Sequence, residues 1–346
     1  MIWTVVIILS AVSLLAVYSS TGSLAYRFHG GSTTYFLIKQ LIFLGLGLSI
    51  VFITHLISYK VYYPLSTILL GISVPLLLIT LVFGATLNQA SRWLEVPGLG
   101  ITFQTSDVAK LALIMYISKI LSQKQKDIKD LRQGFVPLVV PIGLICMLIL
   151  PANFSTAALL GLACWIMMFV GRVNLKYLLG FTGLGIILLG AFIVIALQFK
   201  NVGRVHTWIN RIENFASGDN GDGNYQVEQS KIAIATGGII GKGPGRSTQR
   251  NFLPHPYSDF IFAIIVEEYG LLGGAIILAL YLILLFRSAL IVKNAKRTFP
   301  AFLAFGLALL MALQALVNMM VAVNLIPVTG QPLPLVSMGG TSLFFS

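Results

Sequence analysis

Asp259 is the residue of this chain best placed to do chemistry. It lies in Asn251–Gly270, NFLPHPYSDFIFAIIVEEYG, between a polar loop rich in glycine and basic residues and a long apolar run. Only 11 of 346 residues are acidic. Each acid beside an apolar run carries a desolvation cost of roughly several kcal/mol, which marks it as a functional candidate. The plain alternative is that an acid just after Ser258 stabilises a helix N-terminus, worth about 0.3–1 kcal/mol. Position alone leaves both open. The preceding loop adds weight to chemistry, because Arg204, Arg211, Lys231, Lys242, Arg246 and Arg250 outnumber its acids, Glu213, Asp219, Asp222 and Glu228. Basic groups around one carboxylate suit a substrate carrying phosphate, which arginine grips through paired hydrogen bonds. Taken singly, each cation reads as a solvated loop charge.

Other polar residues fall into place around this one. Glu267 and Glu268 lie about two turns deeper in the same run, roughly 80° round from Asp259 and roughly opposite it at 100° per residue. They are therefore not expected to line one pocket, and at least one should be a buried structural partner. His29, His55, His206 and His255 have no metal-ligand spacing, so no zinc site is indicated. His255, between Pro254 and Pro256, reads as loop geometry. A second loop, Gly84–Gln104, holds Arg92 and Trp93 and leads into Thr105-Ser106-Asp107. Ser106 or Thr105 is expected to cap the helix that follows. Asp107 in its first turn should pair with Lys110, three residues on along the same face.

These groups need elements to position them, and composition names the elements. Hydrophobic residues make up 57% and charged residues 10%, with a mean hydropathy of +0.91. A soluble domain of that composition would expose apolar surface to water, so the chain is expected to be all-α, a polytopic integral membrane helix bundle. About twenty apolar residues cross a bilayer. Runs of that kind recur at Ile2–Ser20, Phe36–Ile57, Val61–Phe83, Val108–Leu121, Phe135–Leu150, Thr156–Val170, Tyr177–Leu197, Phe260–Val292 and Phe299–Leu325, and Val336–Ser346 begins a tenth that the sequence cuts short. About ten spans are thus expected. The first lacks a basic leader region and a small-residue cleavage site and reads as a retained helix. Cys146 and Cys164 lie in apolar runs and behave as small hydrophobes.

The net charge of +12 reflects topology and excludes a nucleic-acid surface, because the cations sit in short loops and form no stripe with interleaved aromatics. With the N-terminus cytoplasmic, the loops holding Lys60, the group Lys119 to Arg132, Arg172 with Lys176, and the group Arg287 to Arg297 all fall inside, as the positive-inside rule requires. One connection, Gln198–Tyr257, then lies outside and is large enough to build a site. Within it Tyr225–Thr236 reads as a short amphipathic or re-entrant helix stopped by Gly237-Gly238, and Gly241, Gly243 and Gly245 follow. Such glycines permit close backbone approach to a ligand or make a flexible loop. No repeat is visible at a fixed period.

The runs YQVEQSKIAIATGGIIGKGPG, LPHPYSDFIFAIIVEEYGLLGG and NLIPVTGQPLPLVSMGGTS, with RWL and FQTSDVAKLAL, resemble the SEDS family of FtsW, RodA and SpoVE in the family's order over nearly the whole chain. The resemblance implies one membrane domain over residues 1–346, with the 198–257 loop contributing to an extracytoplasmic active site. It implies a peptidoglycan glycosyltransferase that polymerises lipid II with inversion and works beside a class B penicillin-binding protein and other division or elongation proteins in the bacterial cytoplasmic membrane. The family's essential aspartate matches Asp259, its Glu-x-x-Lys pair matches Asp107 and Lys110, and its cavity tryptophan matches Trp93. Three departures stand out. The acid of the pair is shortened to Asp107, Asn153 in PANFST replaces a family acid, and the last helix is cut short. STQRNFLP leans toward the division-type branch.

On that reading Asp259 is the general base that takes a proton from a sugar hydroxyl. The loop cations, or a divalent cation such as Mg or Mn, stabilise the departing diphosphate. Two other functions fit a membrane protein of this kind, a flippase for lipid-linked precursor and a scaffold that only activates a partner. A flippase needs polar groups at several depths, whereas here they gather near one face, with Lys39, Glu267 and Glu268 the main exceptions. For the lipid tail to stay in hydrocarbon, a lateral opening lined by Asp259, Lys110 and Trp93 is expected.

Overall fold

The computed structural model describes residues 1–22, 33–87, 90–95, 102–198, 215, 222–254, 256–338 and 343. In chain order the helices are α1 (Ile2–Ser20), α2 (Thr34–Leu56), α3 (Tyr59–Phe83), α4 (Thr105–Gln123), α5 (Val136–Ile149), α6 (Phe154–Val170), α7 (Leu175–Gln198), α8 (Asp222–Gly237), α9 (Ile261–Asn294) and α10 (Thr298–Ala322). Nine of them fall on the nine apolar runs, and α8 falls on the amphipathic segment of the long loop. Among the described residues six stretches of helix are long and apolar enough to cross a bilayer, in α1, α2, α3, Leu131–Ile149, α9 and α10, and α6 and Leu175–Ile187 are shorter apolar helices. The chain is a multi-pass membrane protein.

The chain divides into two compact units. One comprises Met1–Leu56, Arg211–Arg287 and Met311–Ser346; the other comprises Ile57–Asn210 and Ser288–Leu310. In the second unit α4 packs on α3, α5 and α6. It buries Thr105, Ser106, Asp107, Lys110 and Ser118 beside a full set of apolar side chains. Its low hydropathy reflects that position, because polar groups in hydrocarbon are tolerated when they face protein. Asn153 caps α6, its side-chain oxygen accepting from Thr156 N at 3.3 Å. The amide thus serves a helix start at a place where a charge is not needed.

Four features depart from the sequence reading. The loop before α4 forms a small antiparallel sheet of β1 (Ala85–Leu87), β2 (Ala90–Glu95) and β3 (Thr102–Gln104), with Trp93 opposite Gln104 in register. Thr105 and Ser106 do not cap α4. The helix takes them into its first turn, the cap position is Gln104 without a side-chain cap bond, and Gln104 Nε2 donates to Ser106 Oγ at 2.7 Å. At Val336 no helix begins, since Val336 and Ser337 donate back to Leu333 O in a turn at 3.2 and 2.9 Å. A positive φ at Leu335 and proline at positions 332 and 334 hold the chain out of helix there. Beyond Met338 only Leu343 is among the described residues.

The eighth apolar run is not one continuous helix. Gly270 has φ 70° and ψ −175° in the middle of α9, and the loop after α8 docks its backbone into the gap. Lys242 N donates to Glu267 O and Gly243 N to Glu268 O, both at 2.9 Å. Leu271 N donates to Gly238 O at 2.9 Å and Leu272 N to Ile239 O at 3.2 Å. The loop backbone thereby satisfies the carbonyls and amides that the break exposes. A Cβ on Gly270 would sit 2.1 Å from Ile239 O, and one on Gly241 would sit 2.2 Å from Glu268 O. The glycines at these two places permit backbone to approach backbone; they do not form a loose loop.

Candidate functional site

In the first unit Asp259 stands two residues before α9 and is half-buried. Ser258 Oγ donates to Asp259 Oδ1 at 2.9 Å. The backbone around the acid is held from three sides. Asn318 Nδ2, from the last turns of α10, donates to Asp259 O and to Gln331 O, each at 2.8 Å. Ser337 Oγ donates to Ser258 O at 2.7 Å, and Met338 N to Tyr257 O at 2.9 Å. Gly330, at φ 65°, presents its Cα to the carboxylate, and a Cβ there would lie 3.6 Å from Asp259 Oδ2. Phe260 and Ile264 anchor the next residues in an apolar cluster with Val227, Leu253 and Val321. Burial, and secondarily the negative charge of Asp259, hold the Tyr257 phenol above its ordinary range. Asp259 is therefore a carboxylate on a rigid frame, with its head group beside a glycine and two hydroxyl-bearing neighbours. The same place at a helix start also suits the dipole.

Glu267 and Glu268 are both buried, and they converge. Glu267 accepts from Lys242 Nζ at 2.6 Å, from Thr248 N and Oγ1 at 3.1 and 2.9 Å, from Gln249 N at 3.3 Å and from Ser247 Oγ. Glu268 accepts from Ser247 N at 3.3 Å and from Ser19 Oγ. Both are thus buried structural partners, where at least one was expected, because the loop Ser247–Gln249 packs along the helix and reaches both carboxylates. Arg250 Nη1 donates to Ser19 O at 3.0 Å and Oγ at 3.2 Å. Of the loop cations, Lys242 and Arg250 are thus engaged by protein groups, whereas Lys231 and Arg246 are exposed. Arg204, Arg211, His206 and His255 lie outside the described residues.

In the second unit Lys110 Nζ pairs with Asp107 Oδ1 at 2.8 Å. Both side chains are almost fully buried, and among the described residues Asp107 Oδ2 has no partner. A small cleft opens at this end of α4, with Thr80, Gln104, Thr105, Ser106 and Asn153 as its polar lining. Thr80 Oγ1 donates to Thr105 Oγ1 at 3.0 Å across its wall. Trp93, half-buried, is tied to that wall through its strand pairing with Gln104.

Sequence reasoning passed over Asn318, Ser337, Gly330 and Ser247. Asn318 carried a signal, being a polar amide inside the apolar run Phe299–Leu325. Ser337 and Ser247 carried none, because serine in a loop is ordinary.

The sequence profile of the family described as "Cell cycle protein", FtsW/RodA/SpoVE, matches residues 1–346. Among known proteins, a probable peptidoglycan glycosyltransferase FtsW of Geobacter sulfurreducens is 34% identical over 354 residues, covering 99% of this chain and 91% of the relative. Stage V sporulation protein E of Bacillus subtilis is 34% identical over 346 residues, covering 98% and 91%. A solved chain described under "structural coordination of polymerization and crosslinking by a peptidoglycan synthase complex" superposes with a TM-score of 0.75 at 25% identity, over 99% of this chain and 93% of that one. The rod shape determining protein RodA of Thermus thermophilus gives 0.67 at 26%, over 99% and 92%. Fold and matches together define a polytopic helical membrane protein of cell-wall synthesis. The chain belongs to the FtsW/RodA/SpoVE family.

Proposed function

We propose that this chain, a peptidoglycan glycosyltransferase by family, polymerises lipid II, the undecaprenyl-diphosphate-linked disaccharide pentapeptide, with Asp259 as general base. The observation that carries the reading is the Asp259 frame: a half-buried carboxylate whose backbone is clamped by Asn318 and whose Oδ1 is oriented by Ser258. A sugar 4-hydroxyl is a poor nucleophile at neutral pH. Transfer of its proton to a positioned carboxylate is worth about 10²–10⁴-fold. The hydroxyl oxygen then bonds to the anomeric carbon of the donor, the bond from that carbon to the diphosphate breaks, and the lipid diphosphate departs with the electron pair. One displacement inverts the α-linked donor to a β-linked chain.

The departing charge needs cations. Arg204, Arg211, Lys231, Arg246 and Lys110 are assigned to the diphosphate, and Trp93 to a sugar face or the membrane interface. Lys242 and Arg250 serve it second, after their protein partners. A divalent ion such as Mg enters only as a companion of the diphosphate, the way it is commonly held by one or two carboxylates and substrate phosphates. Among the described residues no three His, Cys, Asp or Glu side chains group to cage an ion alone, and no step is routed through one. The similarity to a solved peptidoglycan synthase complex that joins polymerization to crosslinking supports a class B penicillin-binding protein as partner. The charge asymmetry of the loops supports the cytoplasmic membrane, with the N-terminus inside and residues 198–257 outside. The loop pattern at Ser247–Pro254 supports a division role.

The test is purified protein with lipid II in liposomes. Glycan polymer from the wild type and none from Asp259→Asn, with unchanged folding, supports the reading. Translocation of lipid II without polymer points to a flippase, and polymer that needs a partner and is unaffected by Asp259→Asn points to a scaffold. Near-normal polymer from Asp259→Asn removes the base assignment.

A further inference from the structure

The loop that fills the break in α9 carries two bulky apolar side chains that are largely exposed. Ile239 is 67% exposed and Ile240 is 80% exposed. In a water-facing loop such a pair would be costly, and the sequence alone places it in the extracytoplasmic connection. The backbone bonds give its level. Gly238 O and Ile239 O receive Leu271 N and Leu272 N, so the tip sits beside the first residues of the second half of α9. Leu271 and Leu272 are themselves 55% and 57% exposed, and Ile276 one turn on is exposed as well. The tip and the outer face of the helix thus form one continuous apolar strip.

That half-helix sets the depth. From Leu271 to Asn294 it is about 36 Å long at 1.5 Å per residue, enough to cross a hydrocarbon core of about 30 Å. Its far end carries Arg287 and Lys293, groups that stay at the opposite headgroup region. Leu271 and Leu272 then lie at the near edge of the hydrocarbon, and Ile239 and Ile240 lie beside them at the same depth. The residues just before the break, with Glu267 and Glu268 tied to Ser247, stand on the headgroup side.

We infer that the Ile239–Ile240 tip inserts into the lipid of the adjacent leaflet, making the loop after α8 a bilayer-anchored element. The occupant of the exposed strip is lipid acyl chain. The argument is the continuity of the tip with the lipid-facing side of a membrane span, fixed by main-chain bonds. Lys242, two residues past the tip, is held back by Glu267 at 2.6 Å and stands at headgroup level. This inference needs only the membrane-spanning fold and is independent of the enzymatic reading.

The test replaces Cys146 and Cys164 by Ala, introduces Ile240→Cys, attaches an environment-sensitive fluorophore and reconstitutes the full chain in liposomes. Glu228→Cys, exposed on α8, is the water-facing reference. The expected result is blue-shifted emission at position 240, loss of intensity with nitroxide-bearing lipid chains, stronger for shallow than for deep nitroxides, and little loss with aqueous iodide. Iodide quenching equal to that at position 228 overturns the inference. So does protection from both quenchers, which means that another copy of the chain covers the tip. Because the Ile240 side chain is mostly exposed, its replacement removes little packing, and Ile239→Cys gives an independent second reading.

Discussion

Asn318 Nδ2 and the backbone carbonyl of Asp259 are joined at 2.8 Å, and the same amide holds Gln331 O. One buried side chain near the end of α10 therefore fixes both the start of α9 and the segment that brings Gly330 against the carboxylate. Replacing it with Leu leaves two carbonyls without their donor, a loss of about 1–3 kcal/mol for each one that stays buried. Asn318→Leu is expected to lower the melting temperature and the polymerisation rate together. Asn318→Asp, isosteric but without the donor, should lower the rate as well. Melting curves beside lipid II turnover check this, and an unchanged rate in either variant removes the clamp from the account.

The nine apolar runs were legible as helices, whose bounds follow the runs to within a few residues, although among the described residues six are long and apolar enough to cross a bilayer. The Asp107–Lys110 pair was legible for a similar reason, since three residues on a helix bring side chains together whatever surrounds them. The break at Gly270 was not legible. Its glycine reads like any helical glycine until Gly237–Gly243 comes to lie against it, and that is a contact between distant parts of the chain. The reach of Ser247 to both Glu267 and Glu268 is hidden in the sequence for the same reason, since it too is made between distant parts of the chain. Capping of α4 failed differently. Thr105 and Ser106 have the right chemistry for a cap, but the strand pairing of Gln104 starts the helix one residue earlier.

Gly270→Ala should destabilise the protein strongly. It puts a Cβ 2.1 Å from Ile239 O at a φ of 70° that L-residues rarely adopt, a strain of order 1–3 kcal/mol before any clash is counted. Gly180→Ala, with nothing within 4 Å of the added carbon, is the control and should be neutral or slightly stabilising in its helix. Thermal melts in detergent decide. Equal melting temperatures for the two variants mean that the loop does not dock in the break.

Glu267→Gln keeps the shape of the side chain but removes the charge that holds Lys242, Thr248 and Ser247. Breaking a fully buried pair costs about 3–5 kcal/mol; because Lys242 is partly exposed, the loss here should fall below that range. Lys242→Met should cost more than a surface lysine change, since it leaves the buried carboxylate without its cation. Proteolysis of the Gly237–Arg250 loop is the sensitive readout, with faster cleavage expected in both variants. Cleavage at the wild-type rate in Glu267→Gln would exclude the carboxylate as the anchor of the loop.

Asp107 and Lys110 pose a sharper question, because their pairing at 2.8 Å is compatible with two roles. If the pair only neutralises itself, either single change strands a nearly buried charge. Asp107→Asn and Lys110→Met should then lose similar stability, of order 3–5 kcal/mol for a fully buried pair, and the double variant should recover both stability and activity. The proposed reading gives Lys110 a second duty toward the substrate diphosphate, and Asp107 the task of keeping it charged and oriented. Asp107 Oδ2, which has no partner among the described residues, leaves the pair held through a single oxygen and free to yield its cation. On that account the two single variants still melt alike, but Lys110→Met loses more turnover than Asp107→Asn. The double variant then regains its melting temperature without regaining turnover. Melting curves for all three proteins, set beside lipid II polymerisation, separate the roles, and full recovery of activity in the double variant would return the pair to pure structure.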